Sequence, residues 1–237
     1  QVPVAARSWK FESSPGHQPP RSFFLKAVVV DIKGVPIKLH QGDLPAGTGF
    51  GESVAVDTET LGLNQHRDRL CLVQLRGADG PCHLVQFAEA SYNAPNLKAL
   101  MTDPSVTKLF HFARFDVGIM RRYLEIDCAP VYCTKIASKL VRTYTDRHGL
   151  KDLCRELLKV EISKEQQSSD WGARKLSPEQ LRYAASDVLH LHGLRDKLAT
   201  MLAREGRTEL AEACFAFLPD LARLDLAGWA NQDIFAH

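Results

Sequence analysis

Three short apolar runs lie close together in the chain, and each has the length of a single buried strand. They are SVAVDTE (53–59), LCLVQL (70–75) and CHLVQF (82–87), separated by the polar turns NQHRD and GADGP. Connections this short predict an antiparallel meander. The helical stretch NLKALMTD and a fourth apolar run, TKLFHFA (107–113), come next. We therefore predict an α/β fold with the order β-β-β-α-β, in which helices flank the sheet.

The second half of the chain changes to helical spacing. In DVGIMRRYL, Val117, Met120 and Leu124 recur on one helix face, and CTKIASKLVRTY and LKDLCRELLKV continue the pattern. The longest helical pattern is SPEQLRYAASDVLHLHGLRDKLATMLAR. It opens with Ser177, and Gln180 stands three positions later, at the spacing of a capping box. The C-terminal half is therefore predicted to be helical.

Composition places the chain among globular proteins and limits how it could bind nucleic acid. Its 237 residues carry a formal charge of +2, so affinity for nucleic acid must come from a local patch or a metal. Residues 1–36 begin with a proline-rich segment that lacks periodicity, and we assign them to an N-terminal extension outside the fold. Residues 37–204 form the predicted domain. Residues 205–237 are predicted to be a helical extension that packs on it.

Cysteine usage bears on the compartment. The six cysteines are Cys71, Cys82, Cys128, Cys133, Cys154 and Cys214. They lack the paired spacing of a zinc site and lie mostly in apolar runs, so we expect buried, reduced thiols. Reduced thiols predict a cytoplasmic protein. No apolar run approaches the roughly 18 residues that a spanning helix needs, so we expect no membrane association.

Two carboxylates directly follow the first apolar run. Val56 ends that run, and Asp57 and Glu59 come next. Because side chains alternate along a strand, Asp57 and Glu59 project from one face while Thr58 points away. The carboxyl ends of strands are where open α/β sheets place their ligands. Burying two neighbouring carboxylates is costly, so the pair predicts a cation.

Two further acidic positions follow. His111 ends the fourth apolar run, and Asp116 begins the next helix. Tyr183 and Asp187 are four residues apart on a helix, so they share one face. Each feature alone has an ordinary explanation: a carboxylate facing a helix dipole, or a tyrosine bonded to a neighbouring carboxylate. Together, the carboxylates would repel one another unless divalent cations neutralised them.

The chemistry of the donors indicates which cations. Ligation by oxygen alone favours Mg²⁺ or Mn²⁺ over zinc. Two such ions about 4 Å apart form the arrangement that hydrolyses phosphodiesters. A tyrosine hydroxyl nearby could orient the attacking water. The residues therefore predict a two-metal nuclease site.

The three motifs resemble, in order and spacing, those of the DEDDy 3′-5′ exonucleases. They are Asp57-x-Glu59, His111-x-x-x-x-Asp116 and Tyr183-x-x-x-Asp187. Among these enzymes the chain is most similar to ribonuclease D, because KEQQSSDWGARKLSPEQLRYAASDV (164–188) resembles the stretch before that family's third motif. Lys175 stands where the family commonly has proline. The resemblance covers roughly residues 37 to 204.

The resemblance implies a fold and a set of roles. The fold is the ribonuclease H-like mixed sheet with its second strand antiparallel. Asp57, Glu59 and Asp187 are expected to bind the tighter metal, with Asp57 bridging to a second ion that Asp116 supports. Tyr183 is expected to position the attacking water. The residues expected to contact the terminal nucleotide are Thr60, Leu61, His111 and Phe115.

The function implied is 3′-5′ trimming of RNA, of the tRNA or other structured RNA type, with no small-molecule cofactor. The first alternative is an exonuclease acting on single-stranded DNA ends, since the metal site itself does not discriminate sugars. A more remote alternative is a non-catalytic RNA-binding module. The residues after Arg204 are too few for the extra helical domains of long ribonuclease D, so we expect a stand-alone exonuclease domain.

Basic residues are concentrated between positions 135 and 155. They are Lys135, Lys139, Arg142, Arg147, Lys151 and Arg155. They could contact phosphates without sequence preference. The alternative is a solvated helix face.

Overall fold

The computed structural model describes residues 30–162 and 169–236. Within this part of the chain, seven strands form one sheet in the order β1-β2-β5-β4-β3-β6-β7. The strands are β1 (Val30–Ile32), β2 (Val35–Gln41), β3 (Ser53–Thr60), β4 (Leu70–Arg76), β5 (Cys82–Gln86), β6 (Thr107–Phe110) and β7 (Val131–Cys133).

The strand pairing confirms the predicted meander and fold class. β4 pairs antiparallel with both β3 and β5. β6 lies parallel to β3, and β7 lies parallel to β6. The sheet is therefore mixed, with the second strand of the meander antiparallel. The carboxyl ends of β3 and β6 point the same way, which brings the segments after these two strands together at one edge.

The sheet begins earlier than the sequence predicts. β1 and the start of β2 fall within residues 1–36, which we assigned to an extension outside the fold. β1 pairs antiparallel with β2, which pairs parallel with β5. Lys33 and Gly34 form the tight turn between β1 and β2, both with positive φ. Residues 30–36 are therefore part of the sheet, while residues 1–29 lie outside the described residues. The division into domains otherwise stays a prediction.

Seven α-helices are described. They are α1 (Pro95–Thr102), α2 (Ala113–Leu124), α3 (Thr134–Val141), α4 (Leu150–Leu153), α5 (Pro178–Leu189), α6 (Leu191–Arg204) and α7 (Thr208–Leu224). A π-helical turn, Cys154–Leu158, continues α4, and another, Asp225–Trp229, continues α7. The predicted capping box at Ser177 and Gln180 is confirmed by reciprocal side-chain to backbone hydrogen bonds.

The longest helical pattern is divided into two helices, not one. α5 ends and α6 begins around His190, whose φ of −112° departs from helical geometry. The break has a packing reason. α5 lies against β1, β3, β4 and β5, whereas α6 packs on α3 and β6. A single straight helix could not cover both surfaces.

The sheet is covered on both faces. β4 and β5 are buried almost throughout. On one face, Leu72 and Leu84 pack with Leu181 and Ala184 of α5. On the other, Val73 and its neighbours join the larger core formed with α1, α2 and α3. The small side chains of α5 let this helix approach the sheet closely, which positions the polar face of α5 at the sheet's edge.

The C-terminal helix α7 packs on α2 and β7. Arg114, in the first turn of α2, donates two hydrogen bonds of 2.6 Å to Asp225, which follows α7. Five of the six cysteines are buried, as predicted, and Cys214 is partly buried. Among the described helices, none has both the length and the apolar character needed to cross a bilayer.

Candidate active site

One cavity of about 680 Å³ collects every predicted site residue. It opens at the edge of the sheet where β3 and β6 end and α2 and α5 approach. Lining it are Asp57, Glu59, Thr60, Leu61, His111, Phe115, Asp116, Tyr183 and Asp187. These residues come from three stretches far apart in the sequence. Their roles remain proposals, but the structure places them together.

Three of the carboxylates form a compact cluster. Asp57 and Glu59 lie at the end of β3, and Asp187 lies in the last turns of α5. One oxygen from each lies within 4.8 Å of the others. All three side chains are partly buried. A single cation could therefore contact all three.

The cluster has an electrostatic cost that a cation would relieve. Burial, together with repulsion from Asp116, Asp187 and Glu59, raises the pKa of Asp57 well above its ordinary value. Burial and the neighbouring aspartates raise the pKa of Glu59 to about 9. A nearby cation would oppose both effects, because an opposite charge favours the ionised form of a carboxylate.

Asp116 lies beside the cluster and has a neutral partner. It is buried near the start of α2, where burial raises its pKa to about 7. The Thr58 hydroxyl donates a hydrogen bond of 2.6 Å to Asp116 Oδ1 and partly offsets this rise. Strand alternation turns Thr58 away from Asp57 and Glu59, and on that basis we gave it no part in the site. The structure corrects this, because Thr58 orients the fourth carboxylate.

Gln74 is a second residue that the sequence analysis missed. It lies opposite Asp57 in the β3–β4 pairing and is fully buried. Its Nε2 lies 3.4 Å from Asp57 Oδ2, within reach of a weak hydrogen bond. Its place opposite Asp57 depends on the pairing register, which the strand pattern alone does not fix. Gln74 thus gives Asp57 a polar neighbour in the interior of the sheet.

Tyr183 lines the cavity one helical turn before Asp187. Burial and the neighbouring carboxylates, Asp187 first, raise the pKa of its hydroxyl. The hydroxyl therefore stays protonated and can donate a hydrogen bond. The ring lies against Trp171, with centroids 6.0 Å apart. Trp171 belongs to the 164–188 stretch, of which residues 164–168 lie outside the described residues.

The outer part of the cavity is apolar and half-exposed. Leu61, just after β3, has 53% of its surface exposed. Phe115 lies in the first turn of α2. A hydrogen bond from its ring fixes the orientation of His111. The Thr134 hydroxyl donates its proton to the carbonyl of Phe110, so the hydroxyl oxygen accepts the 2.9 Å hydrogen bond from His111 Nδ1. This arrangement offers flat and apolar surfaces to a ligand beside the carboxylates.

The residues of the basic stretch have different surroundings. Arg142 is fully buried and pairs with Glu156, and Arg155 pairs with Asp152. The buried Arg142 therefore does not belong to a solvated helix face, whereas the side chain of Arg155 is 39% exposed. Lys135 and Lys151 line the cavity instead. The Lys135 ammonium also lies 4.2 Å from the ring centroid of Phe112, an exposed residue at the start of α2.

The donor set fits a hard divalent cation. The three clustered ligand atoms are carboxylate oxygens, and these are the ligands that Mg²⁺ and Mn²⁺ prefer. Burial and mutual repulsion raise the pKa values of Asp57 and Glu59, and a bound cation would lower them. Asp57, Glu59 and Asp187 could hold one ion. Asp116 lines the same cavity.

The fold and the acidic site define a class of enzyme. A family model described as 3′-5′ exonuclease matches residues 44–203, and the chain belongs to this family. Ribonuclease D of Gluconacetobacter diazotrophicus is 37% identical over 169 residues, which cover 71% of this chain and 42% of that protein. The chain thus spans about two fifths of the length of the curated relatives it matches.

Some solved structures resemble the chain at higher identity and over more of its length. NrnC of Brucella melitensis is 57% identical, with a TM-score of 0.82, covering 85% of this chain and 98% of that chain. The same Brucella protein has been solved with bound Mg²⁺ and bound to pGG. Ribonuclease D of Escherichia coli, at 24% identity and a TM-score of 0.65, covers 73% of this chain and 45% of that chain. This last likeness shows the fold alone.

Proposed function

We propose that the chain removes nucleotides one at a time from the 3′ end of RNA, using two divalent cations. The observation that carries the proposal is the convergence of four carboxylates and a tyrosine in one cavity. They come from β3, α2 and α5, and they match the three motifs of the resemblance in order. A site serving only to bind RNA would gain nothing from clustered negative charge, because the RNA backbone is itself negative.

The carboxylates have separate tasks in this proposal. Asp57, Glu59 and Asp187 hold one Mg²⁺ or Mn²⁺, and Asp57 with Asp116 holds the other. When bound, such ions neutralise phosphate charge and activate water for phosphodiester hydrolysis. Thr58 and Gln74 keep Asp116 and Asp57 oriented through their hydrogen bonds. The solved structure of Brucella NrnC with Mg²⁺ supports the choice of ion.

Tyr183 positions the attacking water. Burial and the neighbouring carboxylates raise the pKa of its hydroxyl, which favours the neutral form. A neutral hydroxyl can still donate or accept a hydrogen bond and so align a water molecule with the phosphorus. Its position one turn before Asp187 places it on the face of α5 that lines the cavity.

Short RNA is the substrate class that we propose. The cavity, at about 680 Å³, is within the size range of small-ligand sites. Leu61, Phe115 and His111 would contact the terminal nucleotide, and Lys135 and Lys151 would contact phosphates. Brucella NrnC bound to pGG supports this class, because that chain is matched over 98% of its length. Trimming of tRNA or other structured RNA stays the alternative substrate.

The experiment uses pGG together with 5′-labelled RNA and DNA strands of one sequence. The protein is incubated with each in Mg²⁺ or Mn²⁺, beside an Asp57→Asn preparation that controls for contaminating nucleases. We expect pGG to be split into mononucleotides and the RNA to shorten from its 3′ end. Shortening of DNA alone would establish the DNA alternative. No cleavage of any substrate would contradict the proposal.

A further inference from the structure

Gly172 lies against Leu61, a residue that lines the cavity, and leaves no space there for a side chain of its own. A Cβ built on it would lie 2.7 Å from Cδ2 of Leu61. The backbone does not require glycine here, because Gly172 is not among the residues with positive φ. The lack of space for a side chain, rather than the backbone conformation, therefore explains why glycine stands at position 172. The methyl end of Leu61 occupies the volume that any other residue would fill.

The turn that carries Gly172 is fixed by hydrogen bonds on both sides, so it cannot easily move away from Leu61. Arg69 contacts the carbonyl of Gly172 at 3.4 Å and donates to that of Phe87 at 2.7 Å. Gln86 donates to the carbonyl of Ala173 at 2.8 Å, and Gln180 donates to that of Asp170 at 3.1 Å. These bonds connect the turn to the sheet on one side and to α5 on the other.

Leu61, in contrast, can move. Its side chain is half-exposed and its far end is the contacting group. A clash at Gly172 would therefore displace Leu61 at little cost in stability. The displaced side chain would either enter the cavity or swing out to solvent. Both outcomes change the surface that meets the terminal nucleotide.

We infer that Gly172 is a positioning residue that sets the substrate fit of the site by seating Leu61 against its bare backbone. This inference rests on the proposed function, because it assigns Leu61 a contact with the terminal nucleotide. The same turn carries Trp171, whose ring lies against Tyr183. The same anchored turn therefore contacts two side chains of the site. Gly172 lies against Leu61, which contacts the nucleotide, and Trp171 lies against the ring of Tyr183, which aligns the water.

The test is a double-mutant cycle between the two positions. Gly172→Ala, Leu61→Ala and the double variant are compared with wild type, using pGG and a 5′-labelled RNA oligonucleotide. Gly49→Ala is the matched control, since Gly49 is exposed, lacks positive φ and has no atom within 4 Å of its built Cβ. KM, kcat and the melting temperature are measured for each.

We expect Gly172→Ala to raise KM about tenfold, the scale of one misplaced apolar contact, with kcat and melting temperature close to wild type. In the Leu61→Ala background the same change should have almost no effect. A purely structural role would lower the melting temperature in both backgrounds. An unchanged KM, or effects that simply add, would overturn the inference.

Two outcomes separate this inference from the function on which it rests. If wild-type protein cleaves no substrate, the proposed function fails and takes the inference with it. If wild type is active and the cycle shows no coupling, only the inference fails. If Gly172→Ala does not fold, the folding of the double variant shows whether the contact with Leu61 is the cause. Recovery of folding supports the contact with Leu61, and continued misfolding overturns it.

Discussion

The Thr58 hydroxyl donates a 2.6 Å hydrogen bond to Asp116 Oδ1, and both side chains are buried. The bond joins β3 to α2 across the floor of the cavity. It gives the fourth carboxylate a fixed orientation, although Asp116 and Thr58 lie 58 positions apart in the chain.

Thr58→Val should weaken catalysis and shift its pH dependence. The variant keeps the shape but removes the donor, and hydrogen bonds to the ionised form lower a carboxyl's pKa. The pKa of Asp116, already raised by burial, should therefore rise further, and the acidic limb of the pH–rate profile should move to higher pH. We expect kcat to fall about tenfold or more below the optimum. Thr48→Val, which removes an exposed hydroxyl outside the cavity, is the control. Identical pH–rate profiles for wild type, Thr58→Val and Thr48→Val would count against a role for Thr58.

The metal-free protein should lose stability as pH rises. The folded-state pKa values of Glu59 and Asp116, about 9 and about 7, exceed the ordinary values of 4.5 and 3.8. Between these limits the folded state holds more protons than the unfolded state, so the free energy of unfolding falls with pH. The melting temperature should thus be lower near about pH 9 than near about pH 5, and Mn²⁺ should restore it most at the alkaline end. A melting temperature that rises across this window without metal would contradict the account.

Asp57→Asn should abolish cleavage and leave the fold intact. It removes a ligand shared by both proposed ions but conserves the side chain's shape. Because one repelling charge is lost, the metal-free melting temperature at alkaline pH should rise above that of wild type. Asp79→Asn, at an exposed turn, controls for loss of charge alone. Activity of more than about a tenth of wild type at saturating Mn²⁺ would exclude Asp57 as a shared ligand.

Tyr183→Phe should reduce turnover without loss of binding. The change deletes one oxygen and keeps the ring that lies against Trp171. We expect kcat to fall about a hundredfold, the scale of a positioned proton-transfer group. Binding of RNA in Ca²⁺, measured by fluorescence anisotropy, should stay near wild type. Tyr132→Phe, which deletes a buried hydroxyl outside the cavity, is the matched control. Normal turnover, or failure through loss of metal, would remove Tyr183 from the catalytic residues.

The meander and the acidic motifs could be predicted because their determinants are local. Strand alternation puts Asp57 and Glu59 on one face, and helical spacing does the same for Tyr183 and Asp187. Gln74 could not be predicted in this way. Its place opposite Asp57 depends on the pairing register, which shifts between Glu59 and Thr60. Such a bulge leaves no local pattern in the sequence.

The missed strands and the divided helix have different causes. β1 is three residues long, and much of β2 is exposed, so neither shows a sustained apolar pattern. The Lys33-Gly34 turn was the available clue. The break at His190 could not be predicted, because apolar periodicity continues across it. It follows from the two surfaces that α5 and α6 cover.

The most direct test of the two-metal site is the anomalous diffraction of crystals grown with Mn²⁺ and pGG, using Tyr183→Phe to slow turnover. The account predicts two manganese peaks in the cavity. One should be enclosed by the oxygens of Asp57, Glu59 and Asp187, and the other should lie between Asp57 and Asp116. The 3′ nucleotide of pGG should contact Leu61. A single peak, or manganese bound away from these carboxylates in a protein that is active in solution, would contradict the account.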